Sequence, residues 1–345
     1  MRADFTPAIR HALAERAGHR CSFPGCDLPT SGPSDESNTA SSRSGTACHI
    51  IAASTGRSAR RVVSNTPHEK LVSIENGIWM CRNHGKLIDD DETRFTIELL
   101  RQWRQYSEQR ARLAQRGKSI DNQSLGLFSH KIKIHGGDAK YIHTEVGCGF
   151  ADSGVETFWG RDNARLVRDF FIEVSLNALT HGKASEVSIE FCPREILYCD
   201  NGGIFDPRKL RASTLRSGAT VAVKHLFEKL GNRSVLSVEE SDDGHNQISF
   251  ALLRTLEDLE SHSPCILRAP QNISKNSKRA SSFFGCETVF VEVPDYSAFS
   301  MAFRIEKHIK EQLLNKKIVF VKNDVSNAVM QELLQTFPNA EVLEI

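Results

Sequence analysis

Apolar positions change their spacing several times along the chain, and each change marks an element. Phe5, Ile9 and Leu13 recur at helical intervals and predict a helix within residues 5–20. Residues 29–46 are dominated by Ser, Thr, Gly, Asn and Pro and read as a solvated loop without structure of its own. The runs ACHIIAAS and NGIWMC are short enough for strands, and RNHGKLIDD turns toward a helix. Residues 96–116 are amphipathic, with Ile97, Leu100 and Trp103 apolar, and the polar stretch 117–124 reads as a linker. Residues 125–157, with His130, His135 and His143, read as strand- and loop-like connection.

A longer stripe follows. Val167, Phe171, Val174 and Ala178, at i, i+4, i+7 and i+11, predict a helix over 162–180 that His181-Gly182 closes. VSIEF (187–191) and EILYC (195–199) read as strands, DNGGIFDP as a loop and 220–230 as a helix. SVLSVEE and QISFALLR flank DDGHN in the manner of a hairpin, and SFFGCETVFVEV adds a strand. The tail alternates helix (299–314), strand (KIVFVK), helix (326–336) and strand (AEVLEI). No internal repeat interrupts this order.

Composition narrows the class. A length of 345 residues favours two or three domains. With 39% hydrophobic and 25% charged residues, the chain is neither disordered nor fibrous in type. No apolar run approaches the ~18 residues of a membrane span. The opening MRADFTPAIRHALAERAGHR lacks the apolar core of a secretory signal, so a cytoplasmic protein without a membrane partner is expected. The net charge of +1 conceals an asymmetry: residues 1–118 hold 18 Lys+Arg against 13 Asp+Glu, and the remainder 26 against 30.

Cysteines are also uneven. Cys148, Cys192, Cys199, Cys265 and Cys286 are scattered and read as small packing residues. Cys21-x4-Cys26 and Cys81-x2-His84 are instead two pairs on short turns, the spacing with which structural sites bite a tetrahedral Zn2+ from two sides.

Between those pairs lie His49, in ACHII, and Asn76, in ENGIWMC. Over about residues 15–110 this order resembles the HNH nuclease family. The resemblance implies a ββα-metal, treble-clef-like zinc domain in which His49 deprotonates water and Asn76 orients His49. A divalent Mg2+ or Mn2+ would stabilise the leaving oxygen. Two positions depart from the family: Gly85 stands where a metal-ligating histidine follows the second pair, and Cys48 where an Asp often precedes the base. A shifted register, with Cys48 in the zinc site and His84 on the catalytic metal, or a contribution from Asp89 or Asp90, would restore a ligand. Arg101, Arg104, Arg110, Arg112 and Arg116 on the amphipathic helix, with Arg57, Arg60 and Arg61 after the proposed base, read as phosphate contacts to DNA or RNA.

Glu173-x3-Asn177 places two polar side chains one turn apart on one helix face, and Asp200-Asn201-Gly202-Gly203 follows a strand. The pair resembles the GHKL ATPase superfamily over about residues 158–293, implying an α/β sandwich that binds ATP–Mg2+. Carried over, Glu173 activates water, Asn177 holds magnesium and Asp200 accepts from adenine. Ser217-Gly218 and Gly244 fall at the later glycine elements, while Ile204 departs from the first.

Together the resemblances imply a multidomain α+β protein: an HNH-like zinc domain (1–117), a connecting region (118–157), a GHKL-type domain (158–295) and a small α/β appendage (296–345). The expected function is an ATP-regulated, metal-dependent DNA endonuclease, with bacterial defence as one setting, that dimerises with itself on binding ATP. The alternatives are a non-cutting zinc nucleic-acid-binding ATPase switch and a GHKL-class protein kinase. The strand- and loop-like reading of 125–157 counts against the kinase, because it leaves no helix for a phosphoacceptor histidine.

Overall fold

The computed structural model describes residues 3–26, 28–56, 59–117, 129–192, 194–240, 244–263, 265–268, 286, 288–295, 297–313 and 316–345, with only the backbone for 308 and 310–312. It is a mixed α/β, multidomain chain that divides into two compact units. One comprises Met1–Val223 with Val238–Ile248, the other Lys224–Ser237 with Ser249–Ile345. That division differs from the boundary expected between 295 and 296.

The first unit opens with α1 (Pro7–Arg16), capped by the Thr6 hydroxyl, which accepts from the Ile9 amide. The expected loop 29–46 is instead a short hairpin, β1 (Ser31–Pro33) against β2 (Ser41–Arg43). Trp79 Nε1 anchors its base by donating to Thr30 Oγ1 at 2.8 Å. Next, β3 (Gly45–His49) precedes the short α2 (His68–Leu71) and pairs antiparallel with β4 (Gly77–Cys81). The chain turns at once into α3 (Arg82–Asp90) and then α4 (Ile97–Ala114). Ile50, Ile78, Met80, Ile88, Phe95, Leu100 and Trp103 close this core around the cysteines.

The expected connecting region is ordered where it is described. β5 (His130–Ile134) is the edge of a five-stranded sheet, and α5 (Ala139–Ser153) and α6 (Val155–Trp159) lead into α7 (Arg161–Thr180). The strand- and loop-like reading of 125–157 was therefore wrong over α5. The helix carries His143, exposed, so the ground for discounting a phosphoacceptor helix does not hold. β6 (Val187–Phe191) and β7 (Glu195–Asp200) pair antiparallel, followed by α8 (Gly218–Leu230), β8 (Ser234–Glu240) and β9 (Asn246–Leu252). The sheet order is β5-β6-β7-β9-β8. The stripe Val167, Phe171, Val174 and Ala178 is buried on α7.

After α9 (Leu256–His262), the second unit forms a parallel sheet of β10 (Ile266–Arg268), β11 (Thr288–Glu292), β12 (Lys317–Lys322) and β13 (Glu341–Glu344), in that order. α10 (Phe299–Gln312) and α11 (Asn327–Thr336) supply the crossovers from β11 to β12 and from β12 to β13. Alternate strand residues serve opposite faces. Val289, Val291 and Phe320 pack with Ile305, Ile309 and Leu333, while Phe290, Val319 and Val321 pack with Leu253 and Leu259. Thus the strand 288–292 belongs to the sheet of the tail. Cys265 and Cys286 are joined by a disulfide rather than serving as packing thiols. Cys148, Cys192 and Cys199 are free and partly exposed.

Candidate functional site

The two ligand pairs converge. Cys21 and Cys26 sit on the turn after α1, where the Cys26 amide donates to the Phe23 carbonyl at 2.9 Å. Cys81 ends β4 and caps α3, whose first turn carries His84. His84 Nδ1 lies 3.2 Å from Cys81 Sγ and 3.5 Å from Cys21 Sγ, and the four ligand atoms all lie within 4.8 Å of one another. For Zn–S and Zn–N bonds of about 2.3 and 2.0 Å, tetrahedral ligands stand roughly 3.5–3.8 Å apart, so this set fits a zinc-sized ion.

Burial pushes the Cys21 and Cys26 thiols up, so the bare cluster holds protons that a bound cation would displace. Burial also holds His84 below its ordinary value, which keeps the imidazole neutral and able to ligate. The Phe23 ring stacks on His84 at 4.1 Å, and Trp103 meets Phe23 edge-on at 4.9 Å. Cys48 stands outside this group, so the shifted-register alternative is not the arrangement found.

His49 ends β3 and faces a pocket of about 780 Å3 lined also by Cys48, Arg60, Arg82, Gly85, Lys86 and Asp89. Its ring stacks on Phe5 at 3.9 Å, nearly parallel. Asn76 is buried and does not act on the imidazole directly. Its amide accepts from Ile51 N at 2.7 Å and donates to Ile51 O and Leu71 O, each at 3.0 Å. It fixes the main chain two residues beyond His49.

Gly85 is where α3 touches β3. A β-carbon there would lie 2.8 Å from Thr46 Cγ2 and 2.9 Å from Cys48 Sγ, so the histidine of the HNH pattern has no room. Asp89, one turn on, lines the pocket, whereas Asp90 pairs with Lys86. Arg82 and Lys86 were not singled out from sequence. With Gly85 and Asp89 they occupy i, i+3, i+4 and i+7 of α3, a helical face that could have been read.

The arginines divide. Arg61 is no phosphate contact: it is buried, and its guanidinium donates to main-chain carbonyls. Arg104 is turned inward to Glu108 (2.9 Å) and Ile74 O (2.8 Å), and Arg110 to Cys21 O (2.8 Å). Arg60, Arg101, Arg112 and Arg116 are exposed. Arg57 lies outside the described residues.

On α7, Glu173 and Asn177 are partly exposed, and a β-carbon at Gly218, the first residue of α8, would overlap the Glu173 carboxylate. Asp200 is buried at the end of β7, its Oδ1 accepting from Gly202 N at 2.8 Å and Asn246 Nδ2 at 3.1 Å. Asn246, missed in the sequence, also donates to Gly203 O and accepts from Phe205 N. Gly203 N in turn donates to Gly182 O at 2.8 Å, tying the DNGG loop to the end of α7. Ile204 is exposed.

No protein-family model matches the chain, and no curated protein matches it. Among the described residues, no helix is long and apolar enough to cross a membrane.

Proposed function

We propose that the chain is a zinc-stabilised, HNH-like nuclease that hydrolyses DNA phosphodiesters in the His49 pocket under the control of ATP. The observation that carries the reading is that His49, Asp89, Arg60, Arg82 and Lys86 line one pocket. Three cations there suit a phosphate backbone. His49, stacked on Phe5, takes the proton of the attacking water as the water oxygen bonds to phosphorus, and the bond to the leaving sugar oxygen breaks. Asp89, whose Oδ1 already accepts from Arg61, is the carboxylate of the pocket lining that would hold a Mg2+ or Mn2+ ion. When bound, such an ion supplies charge stabilisation at the leaving oxygen. Zinc at Cys21, Cys26, Cys81 and His84 has a structural part.

ATP control rests on the contact of Glu173 with the start of α8 and on the buried Asp200 at a glycine-lined loop. In this reading Glu173 activates water, Asn177 holds magnesium, Asp200 reads adenine, and nucleotide binding drives self-association. Nicking of supercoiled DNA with Mg2+ or Mn2+, lost in His49→Ala, tests the nuclease. Nucleotide binding weakened in Gly218→Ala tests the ATP site.

A second reading, a nucleic-acid-binding ATP switch that does not cut, is favoured by Gly85, packed on Thr46 and Cys48 without a ligating side chain. It predicts salt-dependent DNA binding with no product at any metal or nucleotide concentration.

A further inference from the structure

The loop arginines after the proposed base are not equivalent. Arg60 is exposed and lines the pocket. Arg61 is 6% exposed, and its guanidinium makes four hydrogen bonds within the protein. Nε donates to Ile50 O at 2.9 Å, Nη2 to His49 O at 3.3 Å and to Asp89 Oδ1 at 2.9 Å, and Nη1 to Ile88 O. Its own amide is held by Glu92 Oε2 at 2.5 Å. The backbone sits in the left-handed region, at φ 58°, which a residue with a side chain keeps only where its contacts over-determine it.

These contacts join the two elements that bear the proposed chemistry. His49 and Ile50 belong to the exit of β3, and Ile88 and Asp89 to the last turn of α3. A planar fork with five donors can hold both ends at once, and a lysine ammonium cannot reproduce that geometry. We infer that Arg61 is the positioning residue of the His49 pocket: its buried guanidinium sets the base-bearing strand and the Asp89 carboxylate in one frame. This deepens the nuclease reading and rests on it for the kinetic part of the test. The cations left to meet the phosphate backbone are then Arg60, Arg82 and Lys86, which line the pocket.

The experiment compares Arg61→Lys with Arg60→Gln in full-length, zinc-loaded protein, with zinc content as the check on folding. In Arg61→Lys, cleavage falls about 10–100-fold, the range for loss of a supporting contact, while duplex-DNA affinity and its salt dependence stay as in the wild type. In Arg60→Gln, affinity falls and the salt slope drops by roughly one unit. Hydrogen exchange over residues 49–52 quickens about tenfold in Arg61→Lys and not in Arg60→Gln. Glu92→Gln, which loosens the Arg61 backbone alone, shows the same split at smaller size. Wild-type cleavage by Arg61→Lys, a lost unit of salt slope in that variant, or unchanged exchange at 49–52 would each overturn the inference. If the wild type itself does not cut, the nuclease reading falls, and the exchange measurement still decides the role of Arg61.

Discussion

Gly85→Ala isolates what the departure at this position does. The residue lies inside α3, where alanine is favoured over glycine by about 1 kcal/mol. Against this, the added methyl would stand 2.8 Å from Thr46 Cγ2 and 2.9 Å from Cys48 Sγ, both on β3. Overpacking of this kind costs about 1–3 kcal/mol, so the single variant should lose about 0–2 kcal/mol net. In a Thr46→Ser, Cys48→Ala background both obstructing atoms are gone. The same substitution should there stabilise by about 1 kcal/mol, a coupling of roughly 1–3 kcal/mol. Trp79, Trp103 and Trp159 all belong to the first unit, so tryptophan fluorescence under urea, at saturating zinc, reports on that unit. A Gly85→Ala protein more stable than the wild type, or additivity of the substitutions, would refute the packing argument and reopen position 85 to a ligand.

Three further outcomes are expected. One zinc per chain should be found by native mass spectrometry and lost in Cys81→Ser, with the Trp103 environment collapsing because Phe23 bridges that ring to His84. Replacing the exposed Arg101, Arg112 and Arg116 with Gln should lower the salt slope of DNA binding by about 0.9 for each contact made, whereas Arg104→Gln should lower stability instead. Burial alone would raise the Glu108 carboxyl, but hydrogen bonds and charge from Arg16 and Arg104 outweigh it and hold the group below its ordinary value of 4.5. A depressed carboxylate lends stability above that value and loses it as pH falls through the lower folded value. Denaturation midpoints across the acid range should therefore fall less steeply in Glu108→Gln.

Where one period dominated, the elements were legible. The α7 stripe and the strand 187–191 follow the spacing of their buried residues, and the strand 317–322 is a short apolar run buried at four consecutive positions. The Cys/His cluster was legible because short turns force each pair together. α5 was not, although Ile142, Val146 and Phe150 recur every fourth residue and are buried. Gly147 and Gly149 masked the period. Gly149 is tolerated because a β-carbon there would meet Phe191 and Ile132 at 2.8–2.9 Å, so close packing on the sheet overrides helix propensity. Asn76 read from the sequence as the orienter of His49 and Arg61 as a phosphate contact, and neither read as a main-chain clamp. Their partners are carbonyls and amides that have no sequence signature. Charge spacing alone likewise could not tell Arg104 and Arg110 from Arg101 and Arg112, since inward and outward arginines differ only in what packs beside them.

The central claim is tested most directly by incubating zinc-loaded wild-type and His49→Ala protein with supercoiled DNA, Mg2+ or Mn2+, with and without ATP. The account predicts nicked product from the wild type, more with ATP, and none from His49→Ala at equal DNA affinity. DNA left intact by the wild type in every condition, or cut equally by both proteins, would contradict it.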